Sequence, residues 1–311
     1  MMNNLKKLFA IFFLILFLGW GMSLLGKKLE AFFYAQIGQP YEEISFVQIP
    51  PREEKPKLEL QAKSAVSLKV NKFKREKIVF RKEIDLSLPI ASLTKLMTAV
   101  IVLEDPGYNL EGTWVTISEK AANQEDVPNF GNLKAGEGFP VKTLLDLMLV
   151  YSSNDAAFAL SEVIGADNFV AKMNQKTQEL GLENTHFVNP TGLDPENIFY
   201  SQENINYFNS SNVQDLVKLS QYILETHPLI FETSLRKGPY AVYDGIFSLS
   251  WPENLKISGG KTGYTSEAGG CILLVFQDEK ENHFFNVILG TASPKDRIEE
   301  IQNLINWTEK L

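Results

Sequence analysis

The sequence contains a single cysteine, Cys271, in 311 residues, which excludes an intrachain disulfide. Residues 271–276 form the apolar run Cys-Ile-Leu-Leu-Val-Phe, so we expect a buried strand thiol rather than a nucleophile. The three histidines show no metal-ligand spacing and no H-E-x-x-H motif, which disfavours a zinc peptidase and implies neither a metal nor another cofactor. Basic residues are outnumbered, 30 against 38 acidic, and the net charge of −8 argues against a nucleic-acid partner.

Charge is also absent from an eighteen-residue run near the N-terminus, Leu8 to Leu25, with two lysines on each side. As a helix this run would be about 27 Å long, close to the thickness of a bilayer core. We therefore predict that residues 1–28 are a transmembrane anchor, with a cleaved signal peptide as the alternative. The balanced flanking lysines do not fix its orientation.

The rest of the chain divides into a tether and one folded domain. Residues 29–61 contain four prolines and a mixed charge cluster, which predicts a stiff tether. In the predicted domain, residues 62–311, strand patterns lie at both ends (64–70, 77–81, 271–277 and 283–290), and helical patterns lie between them. This order predicts an α+β fold, with an antiparallel sheet built from both ends of the domain and an inserted helical lobe.

A serine and a lysine three residues apart form the first candidate site. Ser92 opens a helical apolar pattern that runs to Leu103, so Lys95 lies on the same helix face and can reach the Ser92 hydroxyl. Serine needs such a base, and lysine is a base only when neutral, a form that burial near a second cation favours. A second S-x-x-K, Ser234 to Lys237, is followed at once by Gly and Pro, and we predict a surface loop there.

Two further triplets complete a recognisable set. Ser152-Ser153-Asn154 and Lys261-Thr262-Gly263 follow Ser92-Leu93-Thr94-Lys95 in this order. With these motifs, residues 62–310 resemble the serine D-Ala-D-Ala carboxypeptidases, the low-molecular-mass penicillin-binding proteins. The resemblance implies a β-lactamase/DD-peptidase-like fold, and we expect no C-terminal β domain because only 48 residues follow Gly263.

The resemblance also implies catalytic roles. Ser92 would be the nucleophile and Lys95 the base for acylation, while Ser152 would relay protons between the lysines and the leaving amine. Asn154 would hold the substrate backbone and the lysine network. Family members usually carry glycine between these two residues, where this chain has Ser153.

The substrate-binding roles fall on the third motif and the last helix. Lys261 and Thr262 would bind a terminal carboxylate, and Gly263 would let the substrate backbone approach closely. The backbone N–H groups of Ser92 and Tyr264 would form the oxyanion hole. Arg297 would be a carboxylate anchor, with a surface charge as the alternative. We predict that the acidic pair 299–300 on the same helix is solvated.

The activity that this resemblance implies is removal of the terminal D-alanine from peptidoglycan stem peptides ending in D-Ala-D-Ala, through an acyl-enzyme on Ser92. β-Lactam antibiotics would be covalent inhibitors, and the domain would lie on the extracytoplasmic side of the cell membrane. Three alternatives remain: a DD-endopeptidase, a catalytically silent wall-binding protein and a serine β-lactamase. The lactamase is disfavoured because the nearest match to its E-x-x-L-N motif, residues 179–183, ends in Glu.

Overall fold

A computed structural model describes residues 2–37, 57–124, 132–236, 252 and 254–309. The chain divides into two units, residues 1–54 and residues 55–311.

The described residues of the first unit form one long helix, α1 (Met2–Ile37). Its segment Lys7–Ala35 is long and apolar enough to cross a membrane, with a mean hydropathy of 2.5. The helix ends just before Gly38 and Pro40, two residues that stop helices. Residues 29–37, which we predicted as tether, are therefore helical, and the division into anchor, tether and catalytic domain stays a prediction.

The second unit is organised by one antiparallel sheet with the spatial order β2-β1-β9-β8-β7. Two of its strands come from the start of the unit and three from the end; four of them match the strand patterns predicted from the sequence, and the fifth, β7, carries the third motif. Their bounds are β1 (Ser64–Val70), β2 (Glu76–Lys82), β7 (Lys256–Thr265), β8 (Gly269–Gln277) and β9 (His283–Thr291). The predicted α+β, β-lactamase/DD-peptidase-like fold is confirmed.

Alternate residues of β8 face opposite sides of the sheet, and both sides are covered. Cys271, Leu273 and Val275 are buried on one side, and Ile272 and Leu274 on the other. The second side packs against the last helix, α9 (Pro294–Thr308). The first side packs against the inserted helices, so the apolar run of β8 is covered on both faces, as in a central strand. The thiol of Cys271 is buried as predicted, and burial raises its pKa to about 11.

The helical lobe lies between β2 and β7 in the chain and carries two small strand pairs. Its helices are α2 (Thr94–Glu104), α3 (Glu119–Ala122), α4 (Val141–Val150), α5 (Asn154–Glu162), α6 (Ala166–Glu179), α7 (Val213–Thr226) and α8 (Leu229–Ser234). The strand pairs are β3 (Leu88–Pro89) with β6 (Ser210–Ser211), and β4 (Trp114–Thr116) with β5 (Gly138–Pro140).

The N-terminal edge of the second unit is fixed by a buried carboxylate that we predicted to be solvated. Glu300 on α9 is only 7% exposed, and its Oε1 accepts hydrogen bonds from the N–H groups of Gln61 and Ala62, at 2.9 and 3.0 Å. Leu60 is buried beside them. The expectation of a solvated pair was therefore wrong for Glu300, because backbone donors from outside the helix satisfy its charge. Leu60, inside the predicted tether, belongs to the folded unit.

Candidate active site

The first motif lies where a short 3-10 turn, residues 91–93, runs into α2. Apolar residues on this helix, such as Leu96 and Met97, are fully buried and fix its orientation in the core. The Lys95 side chain is also fully buried, and its Nζ lies 3.0 Å from Ser92 Oγ, within hydrogen-bond reach. The three-residue spacing thus brings the predicted nucleophile and base together.

Two more oxygen atoms hold the Lys95 amine. Nζ donates to Asn154 Oδ1, on the first residue of α5, and to the backbone carbonyl of Thr191, both at 2.6 Å. Thr191 was not a predicted site residue, although it lies in the Asn-Pro-Thr-Gly-Leu turn, residues 189–193. A backbone carbonyl carries no side-chain signature, so only the unusual turn sequence could have indicated it.

Asn189 shapes this turn. Its Oδ1 accepts hydrogen bonds from the N–H groups of Thr191 and Gly192, at 3.1 and 2.7 Å. Gly192 adopts φ = +89°, and a Cβ placed there would lie 2.1 Å from the carbonyl oxygen of Ala91 and 2.9 Å from the nitrogen of Ser92. The turn therefore packs directly against the backbone that presents Ser92, and only glycine fits at this contact.

The second and third motifs meet through a direct hydrogen bond. Lys261 Nζ donates to Ser152 Oγ and to the carbonyl of Thr262, both at 2.8 Å, and the lysine is only 3% exposed. Burial, then the positive charge of Lys95 and then that of Arg297, holds the pKa of Lys261 well below its usual value. An uncharged amine at this position could exchange protons with Ser152.

Two residues with left-handed backbone conformations lie at the two serine motifs. Ala91 and Ser152 have φ values of +47° and +64°, a region that costs a residue with a side chain about 1–2 kcal/mol. Such conformations persist where the surrounding packing enforces them. Ser153 is fully buried and caps α5, with its Oγ accepting from the N–H of Ala156 at 3.1 Å. Its side chain therefore fits this corner as a helix cap.

The third motif lies on β7, against the turn that carries Ser92. A Cβ on Gly263 would lie 2.9 Å from the nitrogen of Ser92, so this glycine is required for the strand to approach the nucleophile. That reason differs from the predicted one, close approach of a substrate, which stays a prediction. Thr262 is buried and accepts the hydrogen bond from Lys261 Nζ at its carbonyl, and Tyr264 is 49% exposed on the same strand.

Arg297 is buried beside β7 rather than exposed at the surface. It is 5% exposed, and its guanidinium donates to the carbonyl of Gly263 at 2.6 Å. The alternative of a surface charge is therefore wrong. The long side chain reaches from the start of α9 across to the motif strand, where it both holds Gly263 and places positive charge near Lys261.

The second S-x-x-K is not a surface loop at its serine. Ser234 ends α8 and is buried, and its Oγ accepts a hydrogen bond from the N–H of Gly260 at 3.1 Å. It thus holds the residue before Lys261, a supporting contact that the sequence did not indicate. Lys237 lies outside the described residues. Within the described ranges no group of three or more His, Cys, Asp or Glu side chains could hold a metal, and the expectation of a metal-free site stays a prediction.

Comparison with known proteins identifies the family of this chain. The peptidase family described as D-alanyl-D-alanine carboxypeptidase matches residues 51–293, and the chain belongs to this family. It is 30% identical over 264 residues to D-alanyl-D-alanine carboxypeptidase DacF of Bacillus subtilis, a match covering 79% of this chain and 62% of that one. It is also 30% identical over 227 residues to the D-alanyl-D-alanine endopeptidase of Escherichia coli, covering 70% and 67%.

The structure is similar to solved penicillin-binding proteins. The superposition on penicillin-binding protein D2 from Listeria monocytogenes, solved in a cefotaxime-bound form, has a TM-score of 0.65 at 26% identity and covers 81% of this chain and 98% of that chain. Among curated relatives, the chain spans 62% of the Bacillus subtilis protein and 54% of DacA from Haemophilus influenzae, less than two thirds of either.

The contact between Gly192 and the backbone of Ala91 generates the first prediction. Gly192→Ala should destabilise the protein by about 1–2 kcal/mol from left-handed strain and by a further ~1–3 kcal/mol from overpacking. It should also slow acylation by penicillin on the order of 100-fold, because the clash displaces Ser92. Gly136→Ala is the matched control, since Gly136 has φ = +86° with open space around it. Urea unfolding and acylation rates measure both effects; equal behaviour of the two variants would contradict the account.

The burial of Lys261 generates the second prediction. Lys261→Met should abolish activity and yet stabilise the folded protein at pH 7, by roughly 1–2 kcal/mol. The folded state holds this amine with a depressed pKa, whereas the unfolded chain keeps it protonated up to about pH 10.4, so wild-type stability rises with pH across that window.

The stabilisation by Lys261→Met should therefore shrink as the pH is raised from about 7 towards 10.4. Urea unfolding of chains beginning at residue 55 measures it, with Lys256→Met, at an exposed lysine of the same strand, as the control. A destabilised Lys261→Met variant, or a gain independent of pH, would contradict the burial argument.

Proposed function

We propose that this protein is a serine D-Ala-D-Ala carboxypeptidase that removes the terminal D-alanine from peptidoglycan stem peptides. The observation that carries the proposal is the hydrogen-bonded cluster in which Lys95 contacts Ser92 and Asn154, while Lys261 contacts Ser152. Family membership supports the same reaction class.

In the first step, Ser92 Oγ attacks the carbonyl carbon of the D-Ala-D-Ala peptide bond. The serine proton passes to Lys95 Nζ, which lies 3.0 Å away and is held by two further oxygens. The carbonyl oxygen becomes an oxyanion, for which the N–H groups of Ser92 and Tyr264 are the proposed donors. The contact of Gly263 with the Ser92 nitrogen supports this pairing, because it brings the strand before Tyr264 against the nucleophile.

Collapse of the tetrahedral intermediate breaks the C–N bond and releases D-alanine. The leaving nitrogen takes up the proton that Lys95 received from Ser92, which leaves Lys95 neutral. Ser152 is the proposed relay for this proton, because its Oγ also hydrogen-bonds to Lys261 at 2.8 Å. The acyl group stays on Ser92 as an ester. Water then attacks this ester and gives a proton to the neutral Lys95. Lys95 passes that proton to the departing Ser92 oxygen, so the serine hydroxyl and the neutral lysine are both regenerated.

The carboxylate of the substrate is the proposed ligand of Lys261, Thr262 and Arg297. The free site disfavours charge on Lys261, because burial and two neighbouring cations oppose it. A carboxylate entering beside the lysine reverses that balance and favours the protonated amine. Only a substrate with a C-terminal carboxylate can form an ion pair with Lys261. The proposed enzyme is therefore specific for substrates that carry this group.

β-Lactam antibiotics are proposed as covalent inhibitors through the same serine. The long apolar segment Lys7–Ala35 supports a membrane anchor, and the proposed substrate requires the second unit to lie on the extracytoplasmic side of the cell membrane. The proposed segments remain the anchor, the tether and a catalytic domain.

The test is release of D-alanine from a peptide ending in Lys-D-Ala-D-Ala. Wild type should release it, and Ser92→Ala should be slower by at least about a thousandfold, as expected for loss of a nucleophile. Ser266→Ala, at an exposed serine after β7, is the control and should match wild type. Release by Ser92→Ala at the wild-type rate would contradict the proposal.

One alternative is kept because a relative of this chain is a D-alanyl-D-alanine endopeptidase. Both reactions cleave a bond after D-alanine with the same groups, and they differ in the leaving amine. Cleavage of a crosslinked muropeptide dimer without release of D-alanine from the linear peptide would favour the endopeptidase.

A further inference from the structure

The turn between β1 and β2 exposes a large aromatic ring. This hairpin tip, residues 71–75, reads Asn-Lys-Phe-Lys-Arg, and the Phe73 side chain is 72% exposed. The tip is far from the cluster of Ser92, Lys95 and Lys261, and the proposed reaction does not use it. An exposed phenylalanine at a hairpin tip contributes nothing to the core, so its surroundings indicate what it contacts.

Hydrogen bonds hold the backbone of the hairpin tip in place. Asn71 Oδ1 accepts hydrogen bonds from the N–H groups of Phe73 and Arg75, at 2.9 and 3.0 Å. The N–H of Lys74 donates to the carbonyl of Asn71 at 2.8 Å, and Lys74 adopts φ = +60°. These bonds form an Asx turn that fixes the backbone around Phe73. The backbone that carries the ring is therefore already ordered, which lowers the entropy lost on binding.

Positive charge surrounds the ring. Residues 69–77 contain five basic side chains and one acidic one, in a chain whose net charge is −8. Lys72 Nζ lies 5.5 Å from the centroid of the Phe73 ring. Two of these basic side chains have acidic partners: Lys74, at the tip, contacts Glu225, and Lys69, at the base of the hairpin, lies 3.9 Å from Asp278. Glu279 and Glu281 lie in the neighbouring turn with Lys280.

We propose that the hairpin tip docks on the anionic surface of a lipid bilayer, with the Phe73 ring among the headgroups and Lys72 and Arg75 at the lipid phosphates. Aromatic rings flanked by basic side chains fit this interface, because the ring enters the acyl boundary while the charges meet anionic lipids. The relevant bilayer is the one proposed to hold α1, so the inference rests on that anchor and not on the chemistry at Ser92.

Sheet register indicates what docking would do for the proposed enzyme. At the tip end of the sheet, Val70 pairs with His283, His283 with Gln277, and Gln277 with Lys256. Lys261 lies five residues further along β7, about 17 Å from that end. If the hairpin tip rests on the bilayer, the cleft that contains Lys261 lies away from the lipid. It then faces the side on which the proposed peptidoglycan substrate lies.

Chain length permits this arrangement. β1 runs from Ser64 to Val70, so the tether enters at the opposite end of the strand, about 23 Å from the tip. The residues between Ile37 and Lys57 can span at most about 70 Å, which is enough to return along the strand.

A fluorescent label at the tip tests the inference in the full chain. Phe73→Cys, labelled with the environment-sensitive dye NBD, is reconstituted into vesicles of phosphatidylcholine alone or mixed with phosphatidylglycerol. Cys271 is fully buried and burial raises its pKa to about 11, so it should not react at neutral pH. Phe199→Cys is the matched control, because Phe199 is an 83% exposed aromatic residue in the loop after the 189–193 turn.

We expect a blue shift of the Phe73 label, and its quenching by nitroxide lipids, in the phosphatidylglycerol vesicles only. The Phe199 label should show neither. The shift should be lost in about 1 M salt, where the screening length falls to about 3 Å, and in a Lys72→Gln/Arg75→Gln background.

Identical emission in the two lipids, an equal response of the Phe199 label, or a shift that survives both salt and charge removal would overturn the inference. Flotation of the same samples separates it from the anchor. A chain that does not float with the vesicles overturns the anchor and the docked tip together, whereas a chain that floats with an unshifted label overturns the docked tip alone.

Discussion

Burial of two lysines, Lys95 and Lys261, in one cleft is the constraint around which the second unit is built. Removing charged amines from water is costly, and their mutual repulsion adds to that cost. Hydroxyl, amide and carbonyl oxygens accept from both amines, and burial beside other cations depresses the pKa of Lys261. This environment supports the proposed serine chemistry at neutral pH and lowers the stability of the folded protein.

The elements around the cleft hold these groups in place from several directions. The strained backbone at Ala91 packs against the turn that contains Gly192 on one side and against Gly263 on the other. Arg297 from α9 and Ser234 from α8 both hydrogen-bond to the motif strand. The sheet joins both ends of the unit, so the site depends on contacts between residues far apart in sequence, and local changes at Gly192 or Gly263 reach the nucleophile directly.

Much of this could be predicted from the sequence, for identifiable reasons. Apolar residues that recur every two positions predicted the sheet strands, and those that recur every three to four positions predicted α2. The three-residue spacing of the first motif predicted that Lys95 would lie within reach of Ser92. Contacts made by backbone atoms could not be predicted, which is why the Thr191 carbonyl was missed. The burial of three polar side chains could not be predicted either. Glu300, Arg297 and Ser234 are residue types typical of a surface, and each is buried because tertiary packing brings it to a hydrogen-bond partner that is distant in sequence.

The central claim is that this cluster activates Ser92 and no other hydroxyl, although Ser152 also hydrogen-bonds to a buried lysine. Incubation with benzylpenicillin, followed by intact-mass measurement and peptide mapping, tests that claim most directly. The account predicts one penicilloyl adduct, located on the peptide that contains Ser92 and absent from Ser92→Ala. An adduct on Ser152, or no adduct on a folded wild-type protein, would contradict it.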